Sequence, residues 1–296
     1  MVEANADESV LTATDFLKGW LRGHGRHVLI DVRSEGEFQT GHLPGAVSLP
    51  ILNDSERHLV GLRYKTQGQE AAIVLAHSLV DPDRARLVEG WLKALPTASE
   101  ATGYLFCWRG GLRSKTACAW INAAGGRTIR IEGGYKAVRA ELLSQFETRR
   151  LLGFLTVTGY TGSGKTLLLR SIAQSSPHLV LDLESLANHR GSAFGNEPDG
   201  SPQPSQATFE NAMALRLMSL IQADATTILV EDESRTIGRL RVPDTVTDRF
   251  RTGPTVLMEE SVTSRARLIQ EEYVNRELHK GVSGASLEAR YLSATA

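Results

Sequence analysis

Short apolar runs alternate with amphipathic stretches along the first half of the chain. His27–Arg33 (HVLIDVR), Gly103–Trp108 (GYLFCW) and Arg127–Gly134 (RTIRIEGG) each read as a strand, the last closed by paired glycines. Arg113–Gly126 places apolar residues at three- and four-residue spacing and stops at a glycine pair, which predicts a helix. Lys136–Arg150 reads as the helix that closes this half. The pattern restarts at Leu151–Gly159 (LLGFLTVTG), a strand followed by a glycine-rich turn and a helix from Lys165. His178–Glu184 and Thr226–Glu233 add two buried strands, with a helical Phe209–Asp224 between them. His189–Gln206 holds three prolines and three glycines and predicts a long loop, a length usually functional or disordered. The alternation predicts an α/β fold with crossover helices and two domains, 1–150 and 151–296.

Composition narrows this picture mostly by exclusion. The 296 residues are 41% hydrophobic and 23% charged, which suits globular domains and excludes collagen-like, coiled-coil or disordered classes. A net charge of -1 argues against a strongly basic nucleic-acid module, although 26 of the 33 basic residues are arginines, suited to bidentate phosphate contacts or simply reflecting base composition. No apolar run approaches the roughly 18 residues of a membrane span, and Glu3, Asp7 and Glu8 do not fit a signal peptide. A cytoplasmic protein is expected. Two cysteines, Cys107 and Cys118, are too few for a disulfide scaffold or a four-cysteine zinc site.

The first candidate site is CWRGGLRS, Cys107–Ser114, set between a strand and a helix. Amide groups of a glycine-containing loop at a helix N-terminus converge on an anion, and Arg109 and Arg113 add positive charge. Cys107 is therefore expected to be a nucleophile, with Trp108, Arg109, Gly110, Gly111 and Arg113 as its chalcogen- or anion-binding loop. Cys118, inside the following helix, reads as a small buried hydrophobe.

The second is GYTGSGKT, Gly159–Thr166, which satisfies G-x-x-x-x-G-K-[ST] in the required strand–loop–helix context. Gly159, Thr161, Gly162, Ser163, Gly164, Lys165 and Thr166 are the expected phosphate ligands. Thr166 is the candidate Mg²⁺ ligand, joined by an acid from ILVEDES; that run supplies Glu231, Asp232 and Glu233, with Glu231 and Asp232 as possible ligands and no choice among the three fixed by the sequence. His189, Arg190, Arg235 and Arg239 are candidate tRNA or substrate contacts, with loop anchoring or a solvated charged segment as alternatives.

DVRSEGEFQTGHLPGAVSLP (Asp31–Pro50) and IEGGYKAVR (Ile131–Arg139) resemble the signatures of a rhodanese domain. That resemblance implies a chalcogen carried on Cys107. The loop departs from ordinary sulfurtransferases in placing Arg113 one position farther from the cysteine, which suggests a roomier pocket or a different acceptor. With GLRYKTQG (Gly61–Gly68), NHRGSAFG (Asn188–Gly195), QPSQATFEN (Gln203–Asn211) and EDESRTIG (Glu231–Gly238), the chain resembles the tRNA 2-selenouridine synthases from Asp31 to roughly Tyr273. The resemblance implies a rhodanese-like α/β domain followed by a P-loop NTPase-like parallel-sheet α/β domain. It also implies replacement of sulfur by selenium in wobble 2-thiouridine of tRNA, through an S-geranylated intermediate. Geranyl diphosphate and selenophosphate are then the co-substrates, with selenophosphate synthetase as the supplier. Members of that family continue into a further helical tail, whereas this sequence ends at Ala296. Two alternatives stay open: a P-loop kinase or ATPase with a regulatory rhodanese domain, and an inactive short form that binds tRNA or pyrophosphate.

Overall fold

The computed structural model describes residues 10–23, 27–96, 102–147, 153–190, 201–279 and 281–295. The chain divides into two compact units, Met1–Leu142 and Leu143–Ala296. The domain boundary expected near Arg150 lies outside the described residues, as does most of the loop expected over His189–Gln206.

In the first unit the chain runs β1 (Val10–Leu11), α1 (Ala13–Arg22), β2 (Val28–Asp31), α2 (Glu35–Thr40), β3 (Ala46–Ser48), α3 (Asp54–Val80), α4 (Arg84–Ala94), β4 (Gly103–Phe106), α5 (Leu112–Ala123), β5 (Thr128–Ile131) and α6 (Gly134–Glu147). The strands pair in the order β1-β5-β4-β2-β3, every pair parallel. β4 is central and buried throughout, so the residue after it, Cys107, leaves the sheet at its C-terminal edge, where parallel α/β sheets hold ligands. Ile30, Leu105, Trp91, Ala117 and Ile121 pack the core between the sheet and α4–α5. Asn53 caps α3 in a capping box with Glu56. α3 breaks at Gly68, whose φ of 85° suits glycine and interrupts the helical ladder.

A buried ion pair braces the strand end beside the thiol loop. Arg33, fully buried, donates to both Asp31 carboxylate oxygens at 2.6–3.0 Å and to the Gly41 carbonyl, and lies 3.9 Å over the Tyr135 ring. Removing one member leaves the other charge buried without compensation. Asp31→Ala is therefore expected to destabilise this unit by about 3–5 kcal/mol in urea unfolding.

The second unit runs β6 (Gly153–Thr158), α7 (Lys165–Ser175), β7 (Val180–Leu181), α8 (Leu183–Ala187), α9 (Gln206–Gln222), β8 (Thr227–Glu231), β9 (Thr236–Ile237), β10 (Leu240–Arg241), α10 (Asp244–Thr252), β11 (Thr255–Leu257), α11 (Val262–Gln270), a π-helical turn Glu271–Asn275, α12 (Arg276–His279) and α13 (Gly284–Thr295). A parallel sheet in the order β11-β6-β8-β7 carries the glycine-rich turn after β6, while β9 and β10 form a separate antiparallel hairpin. The strand expected over His178–Glu184 is cut to two residues. Asp182 accepts from the Ser185 amide and caps α8, turning the chain into helix from Leu183. Among the described residues no helix is long and apolar enough to cross a membrane.

Candidate functional sites: a thiol loop and a phosphate loop

The Cys107–Gly111 loop is shaped by its neighbours. Gly110 (φ 66°) and Gly134 (φ 59°) lie back to back; a side-chain carbon on Gly134 would sit 2.2 Å from the Cys107 carbonyl and 2.5 Å from the Gly110 amide. Arg130 donates to the Gly110 carbonyl at 2.6 Å, and the amides of Tyr135 and Lys136 bond the carbonyls of Cys107 and Trp108. With its carbonyls tied down in this way, the loop leaves its amides for an anion. Among the described residues those of Trp108–Arg113 donate to no protein acceptor.

Cys107 sits at the floor of this loop, 3% exposed, with one side against the apolar core. Its Sγ lies 3.3 Å from Ser114 Oγ and 4.0 Å from the Gly111 carbonyl. The thiol is covered by its own loop, and Arg113 donates to both oxygens of Glu37, at 2.5 and 3.1 Å, with Arg57 on the same carboxylate. Burial alone would lower the Arg113 guanidinium, but the Glu37 hydrogen bonds and charge hold it up. Burial alone would raise the Glu37 carboxyl, and the same Arg113 contacts outweigh that and hold it below its ordinary value. Arg109 and Trp108 remain exposed on the outer face of the loop. Cys118 is buried, 3.2 Å from Thr128 Oγ1.

In the second unit the glycines of Gly159–Thr166 take backbone angles open to glycine, with φ 79° at Gly162 and 88° at Gly164, the N-cap of α7. Ser163 is buried and its amide donates to the Tyr160 carbonyl, while Thr161 offers its carbonyl to Arg265 of α11. Lys165 Nζ donates to the Gly159 carbonyl at 2.9 Å and stands 3.7 Å from Glu231. Thr166 Oγ1 donates to both Glu231 oxygens at 3.1 and 2.9 Å. The lysine and the hydroxyl thus both rest on the acid that ends the neighbouring strand.

Glu231 has two companions. Oxygens of Glu184, Glu231 and Glu233, all buried, lie within 4.8 Å of one another. Burial pushes Glu184 up to about 9, reinforced by repulsion from Glu231, Glu233 and Asp182 and opposed by Arg170. Burial and Glu231 push Glu233 up to about 7 against the pull of Lys165, and Glu231 itself is raised by burial despite its Thr166 hydrogen bond. Three buried carboxylates beside a hydroxyl and a lysine suit a divalent cation. Asp232, expected as a ligand, is exposed and accepts from Thr158 at 2.7 Å, outside this group. Glu184 is the residue that sequence reading missed.

The raised carboxyls fix a pH dependence for the ligand-free chain. Unfolded, Glu184 and Glu233 ionise near 4.5; folded, they keep their protons to about 9 and about 7. Through that window the native state binds more protons than the unfolded one, so stability falls as pH climbs. Glu184→Gln is expected to flatten this fall, read as urea midpoints between about pH 6 and about pH 8.5.

The remaining motifs make contacts within the second unit. His189 is buried, and its amide bonds the Glu184 carbonyl; Arg190 donates to the Glu272 carbonyl at 3.2 Å. The His189 amide thus ties the end of α8, which carries Glu184, to the residue that follows it, and Arg190 ties the same segment to the π-helical turn. Gln203 bonds the Ile237 carbonyl and Arg239 amide, and Gln206 bonds both backbone groups of Arg241, so the QPSQ segment clamps the β9–β10 hairpin while Ser205 caps α9. The hairpin arginines expected on a tRNA patch are engaged within the unit. Arg235 pairs with Asp244 and Asp248, and Arg239 donates to the carbonyls of Gln203 and Pro204.

Comparison with known proteins gives a consistent set of likenesses. Residues 14–141 match the rhodanese-like domain family, and residues 152–292 match the AAA domain of tRNA 2-selenouridine synthase. The tRNA 2-selenouridine synthase of Marinobacter nauticus is 42% identical over 83% of this chain and 65% of its own length. That of Nitrosomonas europaea is 44% identical, over 83% of this chain and 63% of its own length. That of Shewanella denitrificans is 41% identical over 88% of this chain and 69% of its own length. The chain thus spans about two thirds of the length of the curated relatives it matches.

Proposed function

The chain belongs to the tRNA 2-selenouridine synthase family, and from that premise we propose that it converts wobble 2-thiouridine of tRNA to 2-selenouridine in two steps, with geranyl diphosphate and selenophosphate as co-substrates. One observation carries this reading: a single chain holds a buried thiol under a loop of unengaged amides and a phosphate loop facing three carboxylates.

The first step belongs to the second unit. The thiouridine sulfur forms a bond to C1 of the geranyl group, the C1–O bond to diphosphate breaks, and the base loses its N3 proton. Negative charge grows on the departing pyrophosphate, which the glycine amides of the Gly159–Gly164 turn and Lys165 would receive. Lys165 must first leave Gly159 and Glu231. Thr166 and Glu231, with Glu184 and Glu233 behind, would hold Mg²⁺, which when bound neutralises charge on the diphosphate.

The second step belongs to the first unit. Thiocarbonyl sulfur is a poor leaving group, whereas alkylated sulfur departs as a neutral thiol. The selenium of HSePO₃²⁻ forms the C2–Se bond and the C2–S bond breaks. Cys107 gives its thiol proton to the leaving geranylthiol and takes back the selenophosphate proton. Water then cleaves the Se–P bond, phosphate leaves, and N3 is reprotonated. Selenium enters already reduced, so no oxidant is required; a selenyl adduct on Cys107 would need one. The Trp108–Arg113 amides hold the phosphoryl oxygens, and a selenophosphate synthetase supplies the donor.

Nucleoside mass spectrometry on a 2-thiouridine anticodon stem-loop incubated with the chain and Mg²⁺ tests this reading. Geranyl diphosphate should give S-geranyl-2-thiouridine, and added selenophosphate should then give 2-selenouridine. Neither nucleoside, together with rapid ATP hydrolysis in the absence of RNA, would replace this reading with the kinase alternative.

A further inference from the structure

Wholly within the first unit lies a groove of about 910 Å³; Arg109, Gly111, Leu112 and Arg113 of the thiol loop are among its lining residues, and the others take no part in the chemistry above. Its volume is that of a small-molecule site. Because α3 breaks at Gly68, both of its segments line the same groove, Leu62 from one and Ile73 from the other. Leu112, from the thiol loop, faces them. The floor is apolar: Leu62 and Leu112 are about half exposed, at 52% and 51%, which is large for leucines lining a concavity. The rim is cationic. Lys65 and Arg109 line it, both exposed and without an ion-pair partner among the described residues.

An apolar floor calls for a hydrocarbon, and uncompensated cations on the rim call for phosphodiesters. We propose that this groove receives the hydrocarbon chain of an alkylated nucleotide while its RNA strand rests on Lys65 and Arg109, bringing the alkylated C2 to the Cys107 loop. The assignment rests on the S-geranylated intermediate of the preceding section and gives that intermediate its place in the first unit. It also supplies discrimination: each methylene buried is worth about a fourfold gain in affinity, so a ten-carbon chain is held and the unmodified thiouridine is released.

The test is binding without turnover, by fluorescence anisotropy on the full chain. The probes are stem-loops carrying S-geranyl- or S-methyl-2-thiouridine. Wild type should bind the geranyl strand at least about tenfold more tightly. Leu62→Glu, which puts a charge on the floor at an exposed position, should erase that preference and leave S-methyl binding within about twofold, the latter showing that the chain is folded. Lys65→Ala should weaken both strands alike. A geranyl preference that survives Leu62→Glu would place the chain elsewhere and overturn the proposal. So would free geranyl diphosphate displacing the geranyl strand in a Leu62-dependent way, since the groove would then be a donor site. Failure of wild type to make S-geranyl-2-thiouridine would sink the proposed activity, whereas the binding preference is read independently of it.

Discussion

Lys165→Ala is expected to abolish both modified nucleosides when the chain acts on 2-thiouridine tRNA. The lysine is 13% exposed and already lies between the Gly159 carbonyl and Glu231, so a short movement carries its charge onto an incoming diphosphate. Removing it deletes a cation where the leaving group develops charge and leaves Glu231 less well balanced among buried carboxylates. The loss of geranyl transfer should be at least about 10²–10³-fold. No 2-selenouridine should follow, because the second step consumes the product of the first. Nucleoside mass spectrometry of tRNA from a deletion strain carrying the variant reads both losses together. Persisting S-geranyl-2-thiouridine would remove Lys165 from the first step.

Cys107→Ser should separate the steps in the opposite sense. Serine keeps the hydrogen bond toward Ser114 and fits the space, so the loop stays folded, but it is a far weaker proton donor than the thiol at neutral pH. Selenium entry should fall about 10²–10⁴-fold while geranyl transfer in the other unit continues. The intermediate should therefore build up. Unchanged 2-selenouridine in this variant would dismiss Cys107 from the chemistry.

Both loops were legible in the sequence because each is contiguous. Strand, glycines and helix start lie within eight residues, and local rules place their amides. What the sequence hid was set by distance along the chain. Glu37 holds Arg113 across 76 positions, a pairing too distant for any local pattern to show. Glu184 joins Glu231 because β7 pairs with β8, a register no local pattern announces. The choice among Glu231, Asp232 and Glu233, open on the sequence, had a signal within it: successive side chains at a strand end point to opposite sides, so Glu231 and Glu233 turn inward together and Asp232 turns out. The QPSQ segment showed no derivable chemistry because its contacts are with the β9–β10 hairpin, far from it in sequence.

The division of labour between the loops is tested most directly by bypass. Lys165→Ala chain is given selenophosphate and a stem-loop that already carries S-geranyl-2-thiouridine, and 2-selenouridine is measured by mass spectrometry. The account predicts formation at close to the wild-type rate, since the phosphate loop has nothing left to do. Selenation that still requires Lys165 on this substrate would contradict it.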